Sequence, residues 1–98
     1  MARIELQESP HEVRVHIEGT LGTASYEAFD RALRAIEPSG RSLVLDLSQA
    51  LSIDSCGVGM LLLAREIAHA GRVRIAGASE GIRAVLATVN FTQLFEIE

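Results

Sequence analysis

Eight consecutive residues, Ser52-Ile53-Asp54-Ser55-Cys56-Gly57-Val58-Gly59, gather two hydroxyls, a carboxylate and the chain's one thiol. Each invites a different chemistry. Cys56 at a helix start has the setting that lowers a thiol pKa and makes a nucleophile. A phosphatase-type loop also needs an arginine five or six positions on to hold the oxyanion, and those positions are Leu61 and Leu62. A Ser55 nucleophile on a G-x-S-x-G elbow fails because residues 53 to 57 read Ile-Asp-Ser-Cys-Gly. A receiver-type phospho-acceptor at Asp46 or Asp54 needs further acids and a lysine, and the chain has no lysine. Asp46 reads instead as a strand-end residue bonding loop amides, and Asp54 as an acid favourable to a helix N-terminus. Two readings of Ser55 remain open. It is a site phosphorylated by another protein, or it simply N-caps a helix. Phosphate brings about −1.5 to −2 charges, and a helix N-terminus repays roughly 0.3–1 kcal/mol of their cost. The fold is therefore expected to survive the modification, while a surface docked on that spot is not.

The 98 residues suffice for one domain, 1–98. With 48% hydrophobic residues, 22% charged and no tryptophan, the composition is globular and the core aliphatic. The formal charge of −4 and the lack of a basic cluster argue against nucleic acid. All nine basic residues are arginine, which excludes a GxxxxGK phosphate loop and Schiff-base chemistry. A single cysteine excludes an internal disulfide. His11, His16 and His69 lack metal-ligand spacing, so neither a metal nor a cofactor is expected. No signal segment or membrane-spanning run is evident, and the expected place is the cytoplasm without direct membrane insertion.

The elements that must position the serine follow from periodicity. Alternation over Ile4–Leu6 and Val13–Ile17, divided by Ser9-Pro10-His11-Glu12, predicts an antiparallel hairpin with His16 on its polar face. A surface helix is predicted over residues 24–37, with Phe29, Ala32, Leu33 and Ile36 inward. Glu27/Arg31 and Asp30/Arg34 stand at ion-pair spacing on its outer face. Pro38-Ser39-Gly40 ends it. Leu43-Val44-Leu45-Asp46-Leu47 is a nearly continuous apolar run, as in a central strand covered on both faces. A second helix over residues 55–70, stopped by Gly71, leads to Val73–Ala76 and completes a βαβ unit. Ser79 caps a third helix with Ile82, Val85, Leu86 and Val89 inward and Asn90 as its terminator. Phe91, Leu94, Phe95 and Ile97 pin down the end.

The second helix is irregular. Arg65, Glu66 and His69 face water in its C-terminal half, and the same arc projected back lands on Val58 and Leu62, flanked by Gly59 and Leu61. Met60, Leu63, Ala64 and Ile67 face inward. An apolar outer face beside a modifiable hydroxyl suits a charge-switched protein interface. Cover by another loop of the same domain is the alternative.

Asp46-Leu47-Ser48, then Asp54-Ser55-Cys56-Gly57-Val58-Gly59, then Gly71 and the ending Val85-Leu86…Phe91…Leu94-Phe95-Ile97 resemble the STAS domains, named for sulfate transporters and anti-sigma factor antagonists. The resemblance spans nearly the whole chain. It implies an α/β STAS fold, a small mixed sheet of four to five strands with an N-terminal β-hairpin and three to four helices. It also implies a binding module rather than an enzyme. In the antagonists of this family the serine after the aspartate is phosphorylated by a cognate serine kinase of the histidine-kinase-like ATPase type, which is also the anti-sigma factor. That position is Ser55 here. The phosphorylated form lets go and a serine phosphatase resets it. The resemblance puts partner docking on Asp54, Ser55, Cys56, Gly57, Val58, Leu61 and Leu62, with Thr20 and Gly22 from the preceding loop. Many members carry G-E-L-D where this chain has Gly19-Thr20-Leu21-Gly22, so an acid near the switch is missing. Cys56 stands where Ser or Ala is common and leaves the phospho-acceptor intact. Some members serve instead as structural subunits of ABC-type transporters, such as those of lipid trafficking, where the same helix seats on an ATPase without phosphorylation.

Overall fold

A computed structural model describes residues 3–35, 41–67, 72–89 and 95–97. In chain order they form β1 (Arg3–Glu8), β2 (Glu12–Leu21), a 3-10 turn (Thr23–Ser25), α1 (Tyr26–Arg34), β3 (Ser42–Ile53), α2 (Ser55–Ile67), β4 (Val73–Ala76), α3 (Glu80–Thr88) and β5 (Glu96–Ile97). The strands make one five-stranded sheet in the order β1-β2-β3-β4-β5. β1 is antiparallel to β2 and every other pair is parallel. The expected hairpin, central third strand and βαβ unit are all present. Helix ends expected at Pro38-Ser39-Gly40, Gly71 and Asn90, together with Ile36, His69, Phe91 and Leu94, lie outside the described residues.

Period-two patterning gives the sheet two unlike faces. On one, register aligns Leu6, Val15, Leu45, Ile75 and Ile97 in a row across all five strands. Val13, Leu43 and Val73 form a second row beside it. These pack with Phe29 and Leu33 of α1, Met60, Leu61 and Ala64 of α2, and Ile82 and Leu86 of α3 into one aliphatic core. Each fully buried side chain of this size contributes about 1.5–3 kcal/mol. Ser79 caps α3 as expected, its Oγ accepting from Ile82 N–H at 3.3 Å. Of the two ion pairs expected on α1 the structure makes Asp30–Arg34, at 3.0 Å. Val89, expected inward, is 39% exposed at the helix end.

The other face is charged. Arg74 of β4 meets Glu12 of β2 at 2.9 Å, Glu12 meets Arg14 at 3.5 Å, and Arg14 meets Asp46 of β3 at 3.3 Å. His16 Nδ1 lies 3.1 Å from Asp46 Oδ2, and His16 Nε2 lies 3.1 Å from Gln7 Oε1 on β1. The ladder crosses four strands. Val44, between Arg14 and Arg74 in register, is fully buried on this side. Asp46 also accepts Ser48 N–H at 3.0 Å, so it does bond a nearby amide as expected, but from within a strand. Burial opposes its charge; the Ser48 side chain and amide, the Arg14 guanidinium and His16 outweigh burial and hold the carboxyl below its ordinary value.

β3 is longer than its apolar run. Residues 48–53, beyond the run Leu43–Leu47 expected as the strand, continue it to Ile53 because β2 also extends to Leu21 and pairs with them. Register shifts at His16/Glu18 and Gly19/Thr20 absorb the irregular pattern. β4 pairs with β3 only over Leu43–Asp46, so β2 and β3 run on together past it and deliver the chain to α2.

Because the folded-state pKa of Asp46 lies below its unfolded value, its contribution is present at neutral pH and is lost as pH falls below about 4. Asp46→Asn is expected to cost about 1.5 kcal/mol at pH 7. Urea denaturation at pH 7 and pH 3 checks this: the gap between variant and parent should narrow at the lower pH.

Candidate functional site

The site forms where β2 ends, β3 ends and α2 begins. Leu21 O accepts Asp54 N–H at 3.2 Å, which ties the two strand ends together. Asp54 then turns the chain into the helix. Its Oδ1 accepts Gly57 N–H at 2.9 Å and its carbonyl accepts Val58 N–H at 3.0 Å. Asp54 is therefore the N-cap, with the side-chain-to-N3 bond typical of that position. Of the two readings of Ser55, the one in which it simply N-caps the helix does not hold: Ser55 is the first residue of α2, exposed, and its hydroxyl bonds no other described residue. Both residue types cap well, and the strand running to Ile53 puts the aspartate at the turn.

The helix can start so close to β2 only because residue 57 has no side chain. A Cβ on Gly57 would lie 2.7 Å from Ile53 Cγ1 and 2.9 Å from the Leu21 carbonyl carbon, and closer still to Leu21 O. Gly59, two residues on, faces open space. The two glycines thus differ in role, the first making room for backbone and the second opening the surface.

The remaining residues divide between surface and interior. Leu62 is 38% exposed, Val58 is half-buried against the core, and Cys56 is half-buried with its side chain against the same cluster. Leu61, expected beside the outer face, is fully buried and belongs to the core. The reason is that α1 packs on α2 from a second side, so the buried arc of α2 is wider than that of a helix lying on a sheet alone. Gly57 and Gly22 are also buried and offer no contact surface. Thr20 is exposed, and its Oγ1 lies 3.0 Å from Ser52 Oγ across the β2–β3 extension. Leu51, on that extension, is 81% exposed and was not singled out from sequence. A leucine flanked by Ala50 and Ser52 gives no local signal of exposure; only the two-strand extension, bare of β4, explains it.

The geometry can accept a group at Ser55 and present apolar contacts beside it. Among the described residues no three His, Cys, Asp or Glu side chains converge as a metal site, and no helix is long and apolar enough to cross a membrane.

The family described as "Mlab, STAS domain" matches residues 4–96. A STAS-domain containing protein of Pseudomonas aeruginosa is 36% identical over 90 residues, covering 88% of this chain and 87% of the relative. Among solved structures, an anti-sigma factor antagonist from Mycobacterium paratuberculosis superposes with TM-score 0.87 at 16% identity, over 99% of this chain and 85% of its own. The anti-sigma factor antagonist SpoIIAA in its unphosphorylated form gives TM-score 0.74 at 17% identity, over 98% and 87%. At these identities the structural likeness is one of fold.

Replacing Gly57 by alanine should cost roughly 2 kcal/mol or more, because the obstructing atoms include backbone that cannot move aside. Gly59→Ala should be neutral or stabilise by up to about 1 kcal/mol through helix propensity. Chemical denaturation of the two variants checks both signs.

Proposed function

The chain belongs to the STAS domain family, and we propose that it acts as an anti-sigma factor antagonist-like module of a bacterial partner-switching system, with Ser55 as its phosphorylation switch. What carries the reading is one arrangement: an exposed serine on the first turn of a helix whose cap is already filled by Asp54. A hydroxyl that caps is committed to the fold, whereas this one is available. Leu62 on α2 and Leu51 on the approach to it supply apolar contact surface. Asp54, Cys56, Val58 and Thr20 complete the docking area. Gly22, Gly57 and Leu61 support it from behind.

In this reading the unmodified protein acts in the cytoplasm through its STAS domain and binds a serine kinase of the histidine-kinase-like ATPase type that is also the anti-sigma factor. Phosphate on Ser55 places about two negative charges next to the Asp54 carboxylate. The partner must then desolvate or oppose both, and it releases the antagonist. A serine phosphatase restores the unmodified state. The chain performs no catalysis of its own and requires no cofactor.

A second reading is a structural subunit of an ABC-type transporter. It is favoured by the exposure of Leu51 and Leu62, which could seat permanently on an ATPase, and by a matching family named for Mlab rather than for an antagonist.

The two readings part on modification. A tagged pull-down from native cells, read by mass spectrometry, should recover an ATPase-fold serine kinase and phosphate on Ser55 in part of the pool. With the recovered partner, Ser55→Ala should bind as the parent does and Ser55→Asp at least roughly tenfold more weakly. Equal affinity of the two variants rules out the switch. Transporter subunits with Ser55 unmodified would establish the second reading.

A further inference from the structure

Gly22 stands in extended backbone with φ −176°, a conformation any residue adopts, so its own dihedrals do not require glycine. The requirement comes from across the site. A Cβ on Gly22 would lie 2.6 Å or less from Cγ, Oδ1 and Oδ2 of Asp54. Those atoms end a rotatable side chain. An alanine at 22 is therefore accommodated by turning Asp54 aside, and the carboxylate then leaves Gly57 N–H.

Gly22 cannot yield instead, because its turn is tied from within. Its N–H donates to Ser25 Oγ at 3.0 Å and its carbonyl accepts Ser25 N–H at 3.0 Å. Ser25 is buried at 1% exposure, and its Oγ also lies 3.1 Å from the Thr20 carbonyl and 3.0 Å from that of Gly22. Next to Gly22 in sequence, Leu21 is buried in the core and its carbonyl holds Asp54 N–H. The turn is a fixed wall, and the Asp54 carboxylate rests on the one point of it that has no side chain.

We propose that Gly22 is a positioning residue of the Ser55 site: its bare backbone seats the Asp54 carboxylate on the first turn of α2 and so fixes the start of the helix that presents Ser55. Its importance for signalling rests on the proposed switch. The seat itself is a property of the chain alone, and it gives Gly22 a role behind the surface instead of in partner contact.

The test uses the full chain without any partner and reads amide hydrogen exchange by NMR. In Gly22→Ala the Gly57 amide is expected to exchange roughly tenfold faster, as loss of one N-cap bond implies. Val44 and Ile75, in the central strands, should keep their rates. Combining Gly22→Ala with Asp54→Ser should bring Gly57 back to within about threefold of the parent, since the shorter hydroxyl accepts from the same N–H without reaching over residue 22. An unchanged Gly57 rate in Gly22→Ala overturns the proposal. So does an equal acceleration at Val44 and Ile75, or a double variant that restores nothing. Failure of the switch is seen separately, in the absence of phosphate on Ser55, and leaves the exchange result standing.

Discussion

The approach of the Leu21 carbonyl to the first turn of α2 is the constraint from which the front edge of this molecule follows. With no Cβ at residue 57 the helix begins almost against the end of β2. The same carbonyl takes the Asp54 amide, and the Asp54 side chain takes the Gly57 amide. Two hydrogen bonds and a close contact thus join the end of one strand, the end of its neighbour and the start of a helix. Because each partner group is backbone or a short side chain, the junction has little slack, and Ser55 inherits its position from it.

That junction would be of little use if the two strands could slide. Their register is fixed twice over. On the core side the rows through Val15 and Leu45 interlock with the helices. On the other side Asp46 binds Arg14 and His16 of β2, and Glu12 binds Arg74 of β4. A one-residue slip would turn every apolar side chain of β2 toward the charged face. It would also part Asp46 from groups that hold its carboxylate in an ionised, half-buried state. The sheet therefore transmits a fixed geometry to its far end, where the β2–β3 extension has no third strand to support it.

Local periodicity made the core strands and helix faces legible, since Val13, Val15, Phe29, Leu33, Ile82 and Leu86 need only an alternating or a helical pattern to be placed inward. What was not legible depends on partners distant in sequence. Residues 48–53 do not alternate cleanly and become strand because β2 is long enough to pair with them through two register shifts. Leu61 sits at the border of the projected outer arc and is buried because a second helix covers that side. Asp54 and Ser55 are both good caps, and the choice between them is made by where β3 ends. The resemblance carried by Asp54-Ser55-Cys56-Gly57 located the site, but it did not distinguish residues that line the surface from those, like Gly22 and Gly57, that hold it up.

The filled cap also bears on how a phosphate at Ser55 would act. Helix N-termini attract anions through unpaired N–H groups and the dipole. Here the Asp54 amide is already given to the Leu21 carbonyl and the Gly57 amide to the Asp54 carboxylate. A phosphoryl group arriving on the adjacent residue meets a carboxylate already in possession of the best donor, seated on a turn that cannot move away. The helix end can offset only part of the added charge, roughly 0.3–1 kcal/mol, and most of it must be expressed toward solvent. A partner docking across Leu51 and Leu62 would have to remove water from that charge. In the proposed switch the fold changes little on phosphorylation, and the change in affinity arises because the phosphate and the Asp54 carboxylate stand side by side and a docking partner must desolvate or oppose both.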